Sequence, residues 1–328
     1  MIAIYSFADG GLRKTDFLPD GSLPENVVWI DLLEPTKGEE QLVERVAGIE
    51  APTREEMQEI EISSRLYREG ESLYMTASIL YHADTDQPEN AAVTFIRSPR
   101  ALVTLRYADP ASFRVFPLRA ARAPDMAATP DVVLMGLLET ITDRMADVLE
   151  HTGLEFDSLS KDVFRKRSIG TKGKQKNTDL EDVLIKLGRI EDLTSRCQDT
   201  LVSLYRLTSF YGALIAEMKG HKELKQRVKS ISRDLQSLQD YAKSVAQKGG
   251  FLLDASLGLI NIEQTAIIKI FSVAAMVFLP PTLIASIYGM NFEIMPELKW
   301  EYGYFAALAL MVLSAVLPYY YFKRRGWM

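Results

Sequence analysis

Two long uncharged stretches near the C-terminus constrain this chain more than any other feature of its sequence. No residue carries a charge from Ile270 to Tyr288 or from Tyr302 to Phe322. Each stretch is close to the roughly 20 residues that a helix needs to cross the hydrocarbon core of a bilayer. The segment between them is short, so the second helix must return to the side from which the first came. The sequence therefore predicts a membrane hairpin that follows a large water-compatible N-terminal part.

The charges around this hairpin predict its orientation. Three basic residues directly follow the second stretch: Lys323, Arg324 and Arg325. The loop before it carries three acids and a single lysine: Glu293, Glu297, Glu301 and Lys299. Because basic residues favour the cytoplasmic side, and because the N-terminus lacks the pattern of a secretory signal, both termini are expected in the cytoplasm of an inner-membrane protein. The formal net charge of -6 argues against a nucleic-acid partner and is compatible with cation binding.

Residues 1–125 have the pattern of a mixed α+β cytoplasmic domain. Short runs rich in β-branched and aromatic residues predict five strands: Ile2 to Phe7, Val27 to Asp31, Leu73 to Tyr81, Ala91 to Ile96 and Ala101 to Leu105. Charged segments with helical spacing predict three helices: Thr36 to Ile49, Thr53 to Ile62 and Pro110 to Ala123. The three histidines are scattered, and no nucleophile and base are paired in the sequence, so we expect no enzyme and no organic cofactor.

Helical spacing replaces the strand pattern from about residue 131 onward. We expect an antiparallel helical pair over residues 126–219 and a long stalk helix over 220–265 that continues as a first membrane helix over 266–288. We expect three further segments after this helix: a loop over 289–301, a second membrane helix over 302–322 and a basic tail over 323–328. Apolar residues recur along the stalk at alternating steps of four and three, from Leu224 to Leu252. A helix from about Lys222 to Tyr288 would be on the order of 100 Å long, so its apolar stripe is expected to be covered by other subunits as well as by its own chain. The alternative is several shorter helices broken at Gly249 and Gly250.

A basic loop lies between the two helices of the antiparallel pair. If the second helix of the pair packs antiparallel to the stalk, this loop lies near the point where the stalk enters the membrane. Its basic residues include Arg165, Lys166, Lys172 and Lys174. They suit anionic lipid head groups, as do the basic residues of the tail. A solvated loop with no ligand is the alternative interpretation.

Two membrane helices cannot enclose an aqueous path, so transport requires a ring of subunits. One face of the first membrane helix and of the stalk below it is mostly small or polar, and it comprises Asp254, Gly258, Asn261, Thr265, Ile268, Ser272, Ala275, Leu279 and Thr282. This face is the candidate pore lining. The alternative is that small residues only permit close helix packing. The second membrane helix is almost entirely apolar and is expected to face lipid.

The outer end of the first membrane helix offers neutral oxygen ligands. They are the Asn291 amide, backbone carbonyls such as that of Gly289, and the Thr282 hydroxyl. Mg²⁺ gives up its waters reluctantly, so neutral acceptors that bind its hydration shell suit it. Leu279 and Ile268 are candidate hydrophobic constrictions. Consecutive prolines at 280 and 281 remove two helix donors and favour a kink.

Several segments together resemble the CorA magnesium transporter family, in particular its proteobacterial branch. The resemblance is carried by Val277 to Thr282, Tyr288 to Glu293, Met295 to Trp300 and Tyr321 to Arg324, with weaker similarity at Trp29 to Leu32 and Glu59 to Glu61. It implies a homopentameric funnel in which Gly289, Met290 and Asn291 form the selectivity mouth and the small, polar face of the first membrane helix lines the pore. It also implies that acidic residues between cytoplasmic domains sense Mg²⁺; the candidates here are Asp84, Asp86 and Asp234.

The sequence therefore predicts a divalent cation channel for membrane-potential-driven Mg²⁺ influx that also passes Co²⁺ and Ni²⁺ and is gated by intracellular Mg²⁺. Its expected partners are four further copies of itself, membrane lipid and divalent cations. Two alternatives stay open at this point: a zinc transporter of the related ZntB type, and a membrane-anchored sensor or scaffold that conducts nothing.

Overall fold

A computed structural model describes residues 1–15, 23–24, 26–59, 61–122, 127–165, 180–217, 220–291, 293 and 295–325. The chain divides into two compact units, Met1–Leu252 and Leu253–Met328. We call them the N-terminal unit and the C-terminal unit. The basic residues Lys166, Lys172 and Lys174 lie outside the described residues, and for Arg165 only the backbone is described.

The N-terminal unit is built on one mixed sheet of seven strands within the described residues. Its strands are β1 Ile2–Ala8, β2 Gly11–Thr15, β3 Val27–Leu33, β4 Leu66–Glu69, β5 Ser72–Tyr81, β6 Glu89–Arg97 and β7 Leu102–Arg106. The order across the sheet is β2-β1-β3-β7-β6-β5-β4, and only the β3–β7 pair is parallel. All five predicted strands are confirmed. The two strands that were not predicted, β2 and β4, form the two edges, where polar residues are tolerated and the hydrophobic pattern is weak.

Short helices connect these strands. They are α1 Lys37–Ala47, α2 Arg54–Gln58, α3 Ile62–Arg65 and α4 Ala111–Ala120. Thr36 and Thr53 each cap a helix through a reciprocal capping box with a glutamate three residues later. The prediction of one helix from Thr53 to Ile62 is wrong. The chain is extended at Glu59, with φ -57° and ψ 143°, and α3 begins anew after Glu61.

A buried ion pair joins the two parallel strands at the centre of the sheet. Arg106 donates from Nε and Nη2 to the carboxylate of Asp31 at 3.1 and 2.8 Å, and each side chain is only 6% exposed. Thr104 Oγ1 donates to the same carboxylate at 2.7 Å and accepts from Trp29 Nε1 at 2.9 Å. Arg106 also donates to Asp109 at 2.7 Å. The buried carboxylate is therefore matched by donors on several sides, as a charge in a core must be.

Three long helices pack on one another in the N-terminal unit, and the first two also contact the sheet. They are α5 Pro130–Arg165, α6 Leu180–Glu217 and the first part of α7, which runs from Lys222 to Tyr288. On α5 and α7, Glu139 accepts from Arg227, and the Tyr241 hydroxyl lies against Gly153. In both pairs the α7 residue lies 88 positions after its α5 partner along the chain. Because this offset is constant, α5 and α7 are parallel. Contacts of α7 with α6 have the opposite register, with Val228 near Gly212, Gln239 donating to the Leu201 carbonyl, and Gly249 near Glu191.

The stalk is continuous through the two glycines. α7 contains 67 residues without an interruption, so the alternative of a break at Gly249 and Gly250 is wrong. The apolar stripe from Leu224 to Leu252 is buried or half-buried within a single chain. α5 and α6 cover this part of the stripe within one chain, so its burial does not require other subunits.

A second charged cluster ties the start of α5 to the sheet and to α6. Arg97 donates to both oxygens of Asp131 at 2.7 and 2.8 Å, and the Tyr211 hydroxyl donates to Asp131 Oδ1 at 2.5 Å. Burial opposes ionisation of Asp131, but the hydrogen bonds and charge of Arg97, with the Tyr211 hydrogen bond, outweigh it and hold the pKa of Asp131 below its ordinary value. The cluster links strand β6 to helices α5 and α6.

Candidate functional site

The C-terminal unit contains the end of α7, a loop, and the helix α8 Gly303–Arg324. Both α7 and α8 are long and apolar enough to cross a membrane. Helix α8 begins one residue later and ends two residues later than the predicted span over 302–322. A 3-10 helix, Pro296–Lys299, lies in the loop between them.

The two sides of α7 differ in burial within this unit. Val273 is buried at 4% exposure, and the half-buried residues that follow it are Ala274, Val277, Pro280, Pro281, Ile284 and Tyr288. Counting about 100° per residue, these positions fall on one side of the helix. The half-buried positions of α8 also fall on one side and comprise Gly303, Ala307, Met311, Ser314, Ala315, Pro318 and Phe322. This is the pattern of two helices packed lengthwise.

All nine residues of the predicted pore lining lie on the other side of α7. Asp254, Gly258, Asn261, Thr265, Ile268, Ser272, Ala275, Leu279 and Thr282 are exposed in the protomer without exception. At about 100° per residue they centre roughly 160° around the helix from the middle of the packing side. Ile268 and Leu279, the two predicted constrictions, are 64% and 66% exposed. The mostly small or polar face therefore does not pack against α8. Close packing within one chain does not explain why its residues are small.

Hydroxyl groups on this face already have their protons engaged. Thr282 Oγ1 donates to the Phe278 carbonyl at 2.7 Å, and Thr265 Oγ1 donates to the Asn261 carbonyl at 2.7 Å. Since a hydroxyl has one proton and two lone pairs, each oxygen is left as an acceptor. An acceptor suits the protons of water molecules that surround a cation.

The predicted mouth follows directly after the last turn of α7. The Gly289 amide donates to the Ala285 carbonyl at 2.9 Å, and the Met290 amide donates to the Ile287 carbonyl at 3.3 Å, which ends the helix in a tightened turn. A Cβ at Gly289 would lie 3.2 Å from the Ala285 oxygen, closer than a side chain normally sits, so this turn favours glycine. Gly289, Met290 and Asn291 are all exposed. They form an open surface of neutral groups at the end of the polar face.

Of the predicted acidic loop, Glu293 is exposed, and Glu297 lies in the 3-10 helix with its side chain outside the described part of the structure. The ends of α8 carry the aromatic residues typical of the two interfaces of a membrane. Tyr302, Tyr304 and Phe305 are at the start, and Tyr319, Tyr320 and Tyr321 are near the end. In the basic tail, the Lys323 ammonium lies 5.9 Å from the ring centre of Tyr319, and the Arg325 guanidinium lies 5.3 Å from that of Tyr321.

The three predicted sensor carboxylates are not brought together within one chain. Asp84 pairs with Arg144 of α5 at 2.5 Å, and Asp86 pairs with Arg189 of α6 at 3.1 Å. Asp234 is exposed on α7. Among the residues that the structure describes, no group of three or more histidine, cysteine, aspartate or glutamate residues is placed to hold a metal ion. Asp84 and Asp86 thus have arginine partners in the protomer, which a cation bound between subunits would have to displace. Sequence reasoning missed both arginines because they are 60 and 103 residues away along the chain.

These features define a class: a membrane protein whose first span continues a long stalk helix. One mostly small or polar face of that span is exposed in the protomer. Residues 24–324 match the family described as "CorA-like Mg2+ transporter protein". The chain is 36% identical over 305 residues to the magnesium transport protein CorA of Haemophilus ducreyi, with 92% of each chain covered. It is 35% identical to that of Yersinia pestis over the full length of both, and 35% identical to that of Escherichia coli K12 over 92% of each. This chain belongs to the CorA-like Mg²⁺ transporter family, whose members are transporters rather than enzymes.

Solved structures agree on the fold. The complete CorA magnesium transporter from Methanocaldococcus jannaschii aligns with a TM-score of 0.74 at 18% identity, covering 100% of this chain and 99% of that one. The full-length CmaX protein aligns at 0.68 and 13% identity over 99% and 97%. The ZntB cytoplasmic domain from Vibrio parahaemolyticus aligns at 0.57 and 7% identity, over 79% of this chain and 97% of that one. The predicted fold, an α+β domain, long helices and two apolar spans, is confirmed.

Proposed function

We propose that the protein is a homopentameric channel for Mg²⁺ influx, in which the exposed face of α7 from each subunit lines a common path. One observation carries the proposal: all nine residues of the mostly small or polar face between Asp254 and Thr282 are exposed, on the side of α7 opposite its packing side. A polar face directed at lipid would be unfavourable. A ring of subunits gives this face water instead, and leaves the apolar outer side of α8 to the lipid.

The ion is selected in hydrated form at a ring of Gly289, Met290 and Asn291. Neutral acceptors at this mouth, together with the Thr282 oxygen below it, accept hydrogen bonds from the ion's own waters rather than replacing them. The loop acids, Glu293 among them, raise the local concentration of cations. Mg²⁺, Co²⁺ and Ni²⁺ are all expected to pass, since the ligands contact the hydration shell.

The membrane potential supplies the driving force. At about 100 mV a divalent cation gains roughly 4.6 kcal/mol on entry, enough for accumulation by about three orders of magnitude. The positive residues after α8 favour both termini on the cytoplasmic side of the inner membrane. The division into domains stays a proposal, as does gating by intracellular Mg²⁺. The arginine partners of Asp84 and Asp86 argue against those two carboxylates as its ligands.

Zinc transport of the ZntB type is the nearest alternative. The similarity to the ZntB domain is one of fold, at 7% identity, whereas identities of about 35% connect this chain with proteins named magnesium transport protein CorA. The test is metal uptake by the purified protein in vesicles. Uptake of Zn²⁺ in preference to Mg²⁺, coupled to protons, would favour the ZntB-type zinc transporter.

The test of conduction is Mg²⁺ uptake into proteoliposomes that contain a Mg²⁺-sensitive dye and are polarised with K⁺ and valinomycin. Asn291→Ala is expected to abolish nearly all uptake, because it removes the amide from every subunit at the mouth. Ser314→Ala is the control, since Ser314 is half-buried on α8, away from the proposed mouth, and donates to the Met311 carbonyl of its own helix at 2.8 Å. Wild-type rates in Asn291→Ala would favour the non-conducting scaffold.

The path itself can be tested with single cysteines and a charged, membrane-impermeant thiol reagent. The natural background is low, because Cys197 is fully buried and burial raises the pKa of its thiol to about 12. Thr282→Cys and Ser272→Cys are expected to react and to block uptake. Ile270→Cys, which is exposed in the protomer and lies roughly 180° around the helix from the middle of this face, is expected to remain unmodified. Equal reaction at all three positions would contradict a pore on this face.

A further inference from the structure

A groove in the C-terminal unit is not used by the proposed ion path. It lies between α7 and α8 and has a volume of about 680 Å³. Met276 lines it from α7, and six residues line it from α8: Leu317, Pro318, Tyr320, Tyr321, Phe322 and Arg324. Four of these six, Leu317, Tyr320, Tyr321 and Arg324, have the spacing i, i+3, i+4 and i+7, so they form one stripe about 10 Å long. The groove is apolar at one end and carries a guanidinium at the other.

We propose that this groove binds an anionic phospholipid, with the phosphate on Arg324 and an acyl chain along Leu317 and Met276. An arginine is suited to phosphate, which it can bind through two parallel hydrogen bonds. The two tyrosines place aromatic rings at the depth where they are favoured in membranes, between the acyl chains and the head groups. Basic pockets between membrane helices are the usual place for anionic head groups.

The three basic residues at this end of α8 are not equivalent. Lys323 lies over the ring of Tyr319, which is not among the groove residues, and Arg325 lies over the ring of Tyr321 without itself lining the groove. Arg324 is the one whose side chain lines the groove. A lipid bound there thus depends on one particular cation, whereas a diffuse attraction to an anionic surface would depend on all three alike.

A second copy of this chain is a less suitable occupant. Its uncharged stretches, Ile270 to Tyr288 and Tyr302 to Phe322, contain no carboxylate that could pair with Arg324. Filling the groove with them would leave the guanidinium beside apolar surface, which is unfavourable. A phospholipid supplies both the apolar chain and the anion.

The test is lipid retention by the full-length protein in detergent. The protein is equilibrated with equal amounts of phosphatidylglycerol and phosphatidylcholine of matched acyl chains, passed through gel filtration, and its lipids are quantified by mass spectrometry. We expect wild type to retain phosphatidylglycerol in preference, and Arg324→Gln to lower that preference about fivefold. Lys323→Gln, with the same change of charge, is expected to keep it. Leu317→Trp, which fills the groove, is expected to reduce retention of both lipids.

Each other result would overturn the proposal. Equal losses in Arg324→Gln and Lys323→Gln would indicate a diffuse charge effect. No preference in wild type would indicate that the groove is empty or covered by another subunit. Displacement of the lipid by soluble glycerol phosphate would indicate a phosphate site without a lipid groove. Gel-filtration profiles identical to wild type confirm that each variant is folded.

Discussion

The glycine pair at positions 249 and 250 offers a sharp test of the continuous stalk helix. Gly249 is buried against α6, and a Cβ there would lie 3.1 Å from Glu191 Oε2 and 4.0 Å from Leu187 Cδ1. Gly250 is exposed, and a Cβ there would meet nothing within 4 Å. Alanine is favoured over glycine in a helix interior by about 0.8–1.0 kcal/mol. The two positions therefore share the same gain in helix propensity and differ only in what surrounds the new methyl group.

Gly250→Ala should gain the full helix-propensity difference, which raises the thermal unfolding midpoint by about 2–4 °C for a unit of this size. Gly249→Ala should gain less, because the Glu191 carboxylate must move by a few tenths of an ångström. The measurement is thermal unfolding of the purified full-length protein in detergent, followed by circular dichroism. A lower midpoint for Gly250→Ala would refute the reasoning, since it would mean that the chain needs glycine there to leave the helix.

Three further predictions concern stability, pH and flux. Asp31→Asn should destabilise the N-terminal unit by about 3–5 kcal/mol, because it leaves the buried charge of Arg106 poorly matched; Asp109→Asn, at a partly exposed position, should have a much smaller effect in the same denaturation assay. Because the pKa of Asp131 is lowered by folding, its ionised form stabilises the protein above about pH 4, and this contribution disappears as the pH falls further. Asp131→Asn should reduce the pH dependence of the unfolding midpoint below pH 4, and an unchanged acid profile would contradict the assignment. Leu279→Ser should raise Mg²⁺ leak in proteoliposomes severalfold, since a polar ring no longer excludes water; an unchanged leak would argue against a constriction there.

The sequence was informative wherever one periodicity extends over many residues. The apolar spacing in α5, α6 and the stalk predicted helices that the structure contains, and the stalk stripe from Leu224 to Leu252 that the spacing indicated is buried or half-buried. It failed where elements are short or polar. β2 and β4 are edge strands with weak hydrophobic patterns, and the interruption between α2 and α3 depends on the extended backbone of Glu59.

The candidate site divides in a similar way. The polar face of α7 could be predicted because its residues follow one another at helical steps, and the structure leaves all of them exposed. The partners of Asp84 and Asp86 could not be predicted, because each ion pair joins a loop to a distant helix. A carboxylate in a loop has the same appearance in a sequence whether it holds a metal or an arginine.

Local hydropathy and helical periodicity by themselves determined that this chain has two membrane spans, a long stalk and a polar face that continues into the first span. Backbone geometry imposes those periods on any sequence, so they are visible without a structure. Only the tertiary structure decided that α5 and α6 cover the stalk stripe within one chain, that Arg106 neutralises Asp31, and that Arg324 rather than Lys323 lines the groove. These outcomes depend on which distant residues meet, and that choice is made by packing and charge pairing across the whole fold.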